Sequence, residues 1–269
     1  MSKIKSPTKA GTKAKKFKHN IPVLCLFAAL ILLWQGLCTF EIVPTFMLPS
    51  PYKVGLALVS DRHLLWMHAQ TSLIEAALGL VFGVGLGFVI ACLMERFQLV
   101  NDALQPLITV SQTIPTVAIA PLLVLWMGYG MLPKVVLVVL SMFFPITVSL
   151  IRGFRSTDPD VIDLMRTMKA TRLQIFFNAK LPAAANQFFS GLRIGATYAI
   201  VGAVVAEWLG GQSGLGVYMT RVRKSFAYDK MFAVIILISL LSLALMYLVN
   251  ILEDLCVPWQ NRKEDDNEN

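Results

Sequence analysis

The sequence lacks the motifs that most enzymes need for phosphate or metal chemistry. No segment matches the phosphate-binding pattern GxxxxGK[ST], so the chain offers no ATP-hydrolysing site of its own. Its three histidines, His19, His63 and His68, have no companion ligands at metal-binding spacing. We therefore predict no catalytic residue, no metal site and no cofactor, and we do not expect an enzyme.

Charge is also scarce, and cysteines are not paired. Only 15% of the residues are charged, 56% are hydrophobic, and the mean hydropathy is +0.66, which is too apolar for a soluble domain of 269 residues. The four cysteines, Cys25, Cys38, Cys92 and Cys256, lie in or beside apolar runs without close-set pairs. Packing is the role we expect for them, and the composition indicates an integral membrane protein.

The N-terminal region combines a basic tail with an apolar run. Residues 1–20 hold seven lysines and no acid, and Ile21 to Phe40 is long enough for an uncleaved membrane span. A basic flank beside a span marks the cytoplasmic side more often than a nucleic-acid patch, so no nucleic acid is expected. We predict a cytoplasmic tail at 1–20, a transmembrane domain at 21–256 with a cytoplasmic loop at 152–186, and a charged tail at 257–269.

Six spans are expected in total, with both termini in the cytoplasm. After an extended break at Leu48-Pro49-Ser50-Pro51, the segment to His68 is expected at the outer surface. The five further spans are predicted near residues 71–93, 107–127, 135–151, 187–209 and 231–252. This topology places sixteen lysines and arginines inside and seven outside. The outer seven include Lys134 and four basic residues after the fifth span, for which we expect contact with lipid or with an outer partner.

Two predicted spans carry small residues at four-residue steps. Such ridges allow helix backbones to approach closely in lipid, and we expect the two ridges to face each other near the pathway. They comprise Gly79, Gly83 and Gly87 in the second span, and Gly191 and Gly195 in the fifth. Glu75 continues the first ridge; it could face a wet interior or lie at the interface near the helix end.

The third predicted span is interrupted by Pro115 and Pro121, which remove helical hydrogen bonds and bend the helix. Polar groups beside such a break can line a pore, although they could equally serve only to satisfy the bent backbone. The predicted path residues are Glu75, Ser111, Gln112, Thr113, Tyr198 and Glu207.

A short amphipathic helix is predicted between the fourth and fifth spans. Asp158 can cap it, with Pro159 at its first position, and a second helical piece is predicted to begin near Thr171. Four apolar side chains fall on one face of the first piece: Val161, Leu164, Met165 and Met168. Because this apolar face lies outside the membrane, we expect another protein to bind it and shield it from water.

This loop resembles the cytoplasmic loop of the membrane subunits of ATP-binding-cassette importers. When aligned on Leu181-Pro182, the acidic position falls on Asp163, the two alanine positions on Leu164 and Met165, and the glycine position on Lys169. Lysine disfavours the backbone conformation that glycine permits at this turn. The stretch FFSGLRIGATYAIVGAVVAEWLGGQSGLGVYM resembles the nitrate, sulfonate and taurine branch of these permeases, especially its pyrimidine and riboflavin members.

The resemblance implies an all-α, polytopic permease with the type I importer fold, in the inner membrane of a prokaryote. It implies that two copies form the translocation pore and that two ATPase subunits, which bind the ATP, grip the loops. It also implies an extracytoplasmic protein that delivers the substrate.

The substrate we expect is a thiamine-precursor pyrimidine or a related heteroaromatic. Apart from Arg193, no intramembrane basic group is expected along the path to compensate an anion. A sulfonate, taurine or nitrate importer is the alternative. A stand-alone secondary carrier is less favoured because prolines in the third and fourth spans have no counterpart in the last two. A membrane-embedded enzyme would need clustered acids or histidines within the spans, and only Glu75 and Glu207 qualify.

Overall fold

The computed structural model of the chain describes residues 9–44 and 47–258, except for the side chains of residues 9–21 and Val23. Within these ranges the chain forms eleven α-helices and one π-helical turn, and it has no strand. The helices are α1 (Lys9–Thr39), α2 (Pro51–Ser60), α3 (Arg62–Arg96), α4 (Gln98–Ser111), α5 (Thr116–Met127), α6 (Met131–Arg155), α7 (Pro159–Thr167), α8 (Arg172–Ile175), α9 (Leu181–Gly210), α10 (Leu215–Lys224) and α11 (Tyr228–Cys256). The π-helical turn, Phe176–Lys180, joins α8 to α9. The all-α class predicted from the sequence is confirmed.

Four helices of the described chain are long and apolar enough to cross a membrane: α3, α6, the continuous helix Arg172–Gly210, and α11. A fifth span results if the bent pair of α4 and α5 crosses as one. The first predicted span, Ile21 to Phe40, falls in α1, where the described apolar part is the shorter segment Leu24–Thr39. The count of six spans therefore stays a prediction.

The third span differs from its prediction. We expected one bent helix from about Leu107 to Met127, but α4 and α5 are separate helices that meet at 100°. Pro115 has no N–H to donate and precedes α5 with an extended backbone, so it ends the helical ladder. The chain before it closes tight turns, with Thr113 N–H donating to Val110 O over 3.0 Å. Helix α4 begins at Gln98, well before the predicted start of the third span near residue 107.

Other boundaries also lie outside their predicted limits. The segment after Pro51, whose expected position at the outer surface stays a prediction, forms α2, and Ser50 caps it by accepting the N–H of Lys53. Helix α3 begins at Arg62 and not near Thr71, and α9 begins at Leu181 and not near Gln187. Pro182 is tolerated inside the continuous helix because the π-helical turn just before it shifts the hydrogen-bond ladder.

The contacts divide the described residues into two units, and the smaller one contains residues 9–44, 47–61 and 222–233. In this unit the indole N–H of Trp34 donates to Pro49 O over 3.1 Å, and the Trp34 ring lies 6.0 Å from that of Phe232. Lys230 forms an ion pair of 2.8 Å with Asp61. These contacts hold the beginning of α11 against α1 and against the residue that follows α2.

The larger unit contains residues 62–221 and 234–258 of the described chain, and α6 is its central helix. The side chains of Val138, Met142 and Ile146 follow one another at four-residue steps on α6 and are fully buried. They meet the glycine ridge of α3 one by one, because Gly79 lies against Val138, Gly83 against Met142 and Gly87 against Ile146. A Cβ atom added at Gly83 would lie 2.7 Å from Met142 Cβ, closer than real side chains come.

The glycine ridge of α9 also packs on α6, and not on the ridge of α3 as we expected. A Cβ added at Gly191 would lie 2.6 Å from Ser149 Oγ, and one added at Gly195 would lie 2.6 Å from Met142 Cε. The expectation that the two ridges face each other was therefore wrong, since Met142 alone fills the space opposite both Gly83 and Gly195. On its far side, α9 also contacts α11, where Arg193 pairs with Glu253.

The packing around Met142 predicts unequal effects of the same substitution at two nearby glycines. Gly83→Ala should destabilise the protein by about 1–3 kcal/mol, because the added methyl group overlaps Met142. Gly85→Ala is the matched control on the same helix, since an added Cβ there meets no atom within 4 Å. Thermal unfolding of the detergent-solubilised proteins measures the difference. Equal melting temperatures for the two variants would contradict this packing.

Candidate functional site

The loop between α6 and α9 begins with a capped helix, as predicted. Asp158 precedes α7, and its Oδ1 accepts the N–H of Asp160 over 2.9 Å. Pro159 occupies the first helical position, where no backbone donor is required. Both features fix where α7 starts, independently of any tertiary contact.

The turn that ends α7 forms with a lysine in the left-handed conformation. Lys169 has φ +59°, its N–H donates to Arg166 O over 2.9 Å, and the N–H of Ala170 donates to Met165 O over 2.9 Å. This pair of bonds is the Schellman arrangement, which usually places glycine at the left-handed position. Lys169 therefore adopts the backbone that the resemblance assigns to glycine, at a cost of roughly 1 kcal/mol.

Helix α8 starts with a reciprocal cap. Thr171 Oγ1 accepts the N–H of Gln174 over 3.3 Å, and Gln174 Oε1 accepts the N–H of Thr171 over 2.7 Å. This capping box confirms the predicted start of the second helical piece. Leu181 and Pro182, which end the loop motif, lie half-buried at the beginning of α9.

The apolar face of α7 is open to solvent. Val161, Leu164 and Met168 are 43%, 62% and 74% exposed, and Met165 is half-buried. We call these four residues the docking face. Asp163 lies outside this face and pairs with Arg166 over 3.0 Å at the surface. The nine-residue helix and its C-cap residue Met168 therefore present three well-exposed apolar side chains on one side.

A second group of polar and charged side chains is buried where α3, α6 and α9 meet. Lys134 Nζ donates to Glu75 Oε1 over 2.6 Å, and Glu207 Oε1 accepts the hydroxyl of Ser72 over 2.6 Å. Glu75 and Glu207 are each 1% exposed, and Lys134 is 5% exposed. We call Ser72, Glu75, Lys134 and Glu207 the buried charge cluster. One lysine here faces two carboxyl groups.

The buried charge cluster also binds the glycine-rich segment that follows α9. Glu207 Oε2 accepts the N–H of Gly216 over 2.6 Å, and Ser72 Oγ accepts the N–H of Leu215 over 2.9 Å. His68 Nδ1 accepts the N–H of Gly214 over 3.0 Å. Gly214 has φ +123°, and a side chain there would overlap the Glu207 carboxylate, so glycine is required. The carboxylate thus anchors the start of α10 to α3 and α9.

The six predicted path residues occupy three different environments. Glu75 and Glu207 belong to the buried charge cluster. Ser111, Gln112 and Thr113 lie at the bend between α4 and α5, where Ser111 Oγ donates to Ile108 O over 3.2 Å and Thr113 Oγ1 to Val110 O over 2.7 Å. These two hydroxyls satisfy carbonyl groups at the broken helix. Tyr198 is 55% exposed on α9.

Sequence reasoning missed Lys134, Ser72 and His68 as members of a site. Lys134 was counted among basic residues of the outer surface, whereas the structure buries it against Glu75. The signal for it was a single lysine at the start of an apolar helix, opposite in charge to an unexplained glutamate in another span. Ser72 and His68 precede Glu75 by three and seven residues, and thus share its side of α3.

Together, the bundle of apolar helices, the capped loop outside it and the buried ionic contacts define a polytopic helical membrane protein. Residues 83–257 match the family described as "Binding-protein-dependent transport system inner membrane component". The chain belongs to this family, and it is therefore the permease subunit of an ATP-binding-cassette importer.

Curated relatives match nearly the full length of the chain. A probable ABC transporter permease protein of Haemophilus influenzae is 38% identical over 84% of this chain and 93% of the relative. The formylaminopyrimidine transport permease protein ThiX of Halalkalibacterium halodurans is 35% identical, over 88% of this chain and 95% of the relative. A putative aliphatic sulfonates transport permease protein, SsuC of Bacillus subtilis, is 31% identical over 90% and 88%.

A solved structure has the same fold. A chain from the crystal structure of an amino acid ABC transporter with histidines superposes with a TM-score of 0.60 at 17% identity, covering 76% of this chain and 97% of that one. The permease fold expected from the sequence is confirmed by this likeness.

The buried charge cluster predicts that a substitution at Lys134 strongly destabilises the protein and that a second substitution, at Glu75, offsets much of the loss. Lys134→Met should destabilise the protein by about 3–5 kcal/mol, because it leaves two carboxyl groups buried without a cation. The double variant Glu75→Leu/Lys134→Met should recover much of this loss, since it removes both charges of the pair. Lys224→Met, at an exposed position, serves as the control. Thermal unfolding in detergent measures all three, and a double variant no better than Lys134→Met would contradict the pairing.

Proposed function

We propose that this chain forms the translocation pathway of its importer and transmits ATP-driven motion through the loop at residues 152–186. The observation that carries the proposal is the docking face: apolar side chains on a well-capped helix, exposed to solvent outside the apolar spans. In the proposed assembly, two copies of the chain form the pore and two ATPase subunits each cover one docking face. An extracytoplasmic binding protein delivers the substrate, and both termini lie in the cytoplasm.

The helices of the loop form a rigid connection between α7 and α9. Asp158 fixes the start of α7, the Schellman turn at Lys169 fixes its end, and the capping box at Thr171 starts a helix that continues without a gap to Gly210. A force applied to the docking face would therefore reach α9, which packs on the central helix α6 through Gly191 and Gly195. This continuity supports movement of α9 together with the loop.

Leu164→Asp tests the coupling. A charge buried at the centre of the docking face should weaken ATPase binding by about 2–4 kcal/mol and abolish transport-coupled hydrolysis. Thr167→Asp is the matched control, because Thr167 is exposed on the same helix outside the docking face and receives the same charge. The measurement is the amount of ATPase subunit that co-purifies with each variant, together with substrate uptake. Unchanged co-purification and uptake for Leu164→Asp would show that the loop assignment is wrong.

For the substrate, we propose a thiamine-precursor pyrimidine or a related neutral heteroaromatic. The relative named for formylaminopyrimidine transport is 35% identical, and the relative named for aliphatic sulfonates is 31% identical, so identity alone does not decide. The charges add support: Lys134 pairs with Glu75, and Arg193 pairs with Glu253. Both basic groups are therefore neutralised inside the chain, which leaves them poorly suited to hold an anion. Tyr198 offers an exposed aromatic ring to a flat substrate.

The substrate proposal is tested with the native substrate-binding protein of this importer. We expect saturable binding of a pyrimidine precursor by calorimetry and uptake of the same labelled compound by cells that contain the complete transporter. Taurine, an alkanesulfonate and nitrate serve as competitors and should have no effect at equal concentration. Tight binding of a sulfonate or nitrate, with no response to the pyrimidine, would replace this proposal by the alternative.

A further inference from the structure

A cleft separates the C-terminal part of α3 from the α7–α8 loop, and nothing above assigns it a role. Its volume is about 780 Å³, within the range of roughly 300–1,000 Å³ that is typical of small-molecule sites. Apolar side chains form most of its walls, and several of them are well exposed. The apolar residues of the walls include Val89, Leu93, Leu173, Phe176 and Phe177.

The rim of this cleft is basic. Arg96, Arg166, Arg172 and Lys180 line it, whereas Glu95 is the one acidic residue among its lining side chains. Lys180 pairs with Glu95, and Arg166 pairs with Asp163, which lies outside the cleft. Arg96 and Arg172 are exposed, and the guanidinium of Arg96 lies 5.1 Å from the centre of the Phe97 ring. The cleft therefore joins an apolar interior to a surplus of positive charge.

Helix α7 turns different faces toward this cleft and toward solvent. Ile162 and Arg166, four residues apart, line the cleft, and Ala170 continues that line beyond the end of the helix. At about 100° per residue, these positions lie opposite the docking face formed by Val161, Leu164, Met165 and Met168. An occupant of the cleft would thus support α7 from behind and leave its docking face free.

We propose that the cleft binds one acidic phospholipid of the cytoplasmic leaflet. Its phosphate lies between Arg96 and Arg172, and its acyl chain lies along Val89, Leu93 and Phe176. This orientation rests on the proposed function, in which the α7–α8 loop is cytoplasmic. Basic pockets at the cytoplasmic ends of spans are suited to acidic headgroups, because attraction of the phosphate adds to burial of the chain. A free phosphate ion would gain nothing from the apolar walls.

The test measures lipid retained by the purified transporter complex with native mass spectrometry, after exchange into a mixture of phosphatidylglycerol and phosphatidylcholine. Arg96→Gln/Arg172→Gln should lower phosphatidylglycerol affinity about 30-fold, since each basic residue near an acidic membrane surface contributes roughly fivefold. The control, Arg62→Gln/Arg223→Gln, removes the same charge at exposed positions outside the cleft and should retain the lipid.

A second variant tests the apolar part of the site. Ala170→Trp should exclude the lipid by filling the cleft, although all four basic residues remain. Excess glycerol phosphate should not displace the lipid from the wild-type complex, whereas displacement would identify a site for soluble phosphate and overturn the proposal. Equal retention by the wild type, the cleft variants and the control would also overturn it. Lipid retention measured on the permease without its ATPase depends on the cleft and not on ATPase binding. A failure of the proposed coupling function can therefore be distinguished from a failure of lipid binding.

Discussion

The close approach of α3 and α9 to the central helix α6 is the constraint on which the rest of the larger unit depends. Association of helices in lipid gains little from the hydrophobic effect, so contact between backbones must supply the packing. Gly83 and Gly195 both leave room for Met142, and Gly79 and Gly87 receive its neighbours in the same row. With larger residues at these positions, the three helices would separate, and the polar groups between them would lose their partners.

The buried charge cluster exists because of that proximity. Glu75, Lys134 and Glu207 come from three different helices. Lys134 of α6 reaches Glu75 of α3 over 2.6 Å, and Ser72 of α3 reaches Glu207 of α9 over 2.6 Å, only because those helices touch. Removing one member of such a group costs more than replacing the whole group, because the remaining charge stays buried without compensation. Glu207 also accepts the backbone N–H of Gly216, so the cluster fixes the chain that leads into α10. The packing of α3, α6 and α9, the ion pair between them and the position of the start of α10 are thus linked through the buried charge cluster.

Features with local causes could be predicted from the sequence, whereas partners across the bundle could not. The starts of α7 and α8 could be predicted from Asp158 and Thr171, because capping depends on neighbouring residues alone. The glycine spacing indicated close packing but did not say that α6 would be the partner of both ridges, and Lys134 was assigned to the surface because its partner Glu75 is 59 residues away. Pro115 indicated a bend, yet the 100° angle depends on surrounding helices. The path residues and the count of six spans remain predictions.

The most direct test of the central claim, that a separate ATPase drives transport through this permease, is uptake by sealed proteoliposomes. They contain the permease and its ATPase, with the binding protein and labelled pyrimidine outside and ATP trapped inside. We expect accumulation of the substrate only when ATP, the ATPase and the binding protein are all present, with hydrolysis of ATP stimulated by the loaded binding protein. Accumulation by the permease alone, driven by an ion gradient without ATP, would contradict the central claim and would favour a secondary carrier.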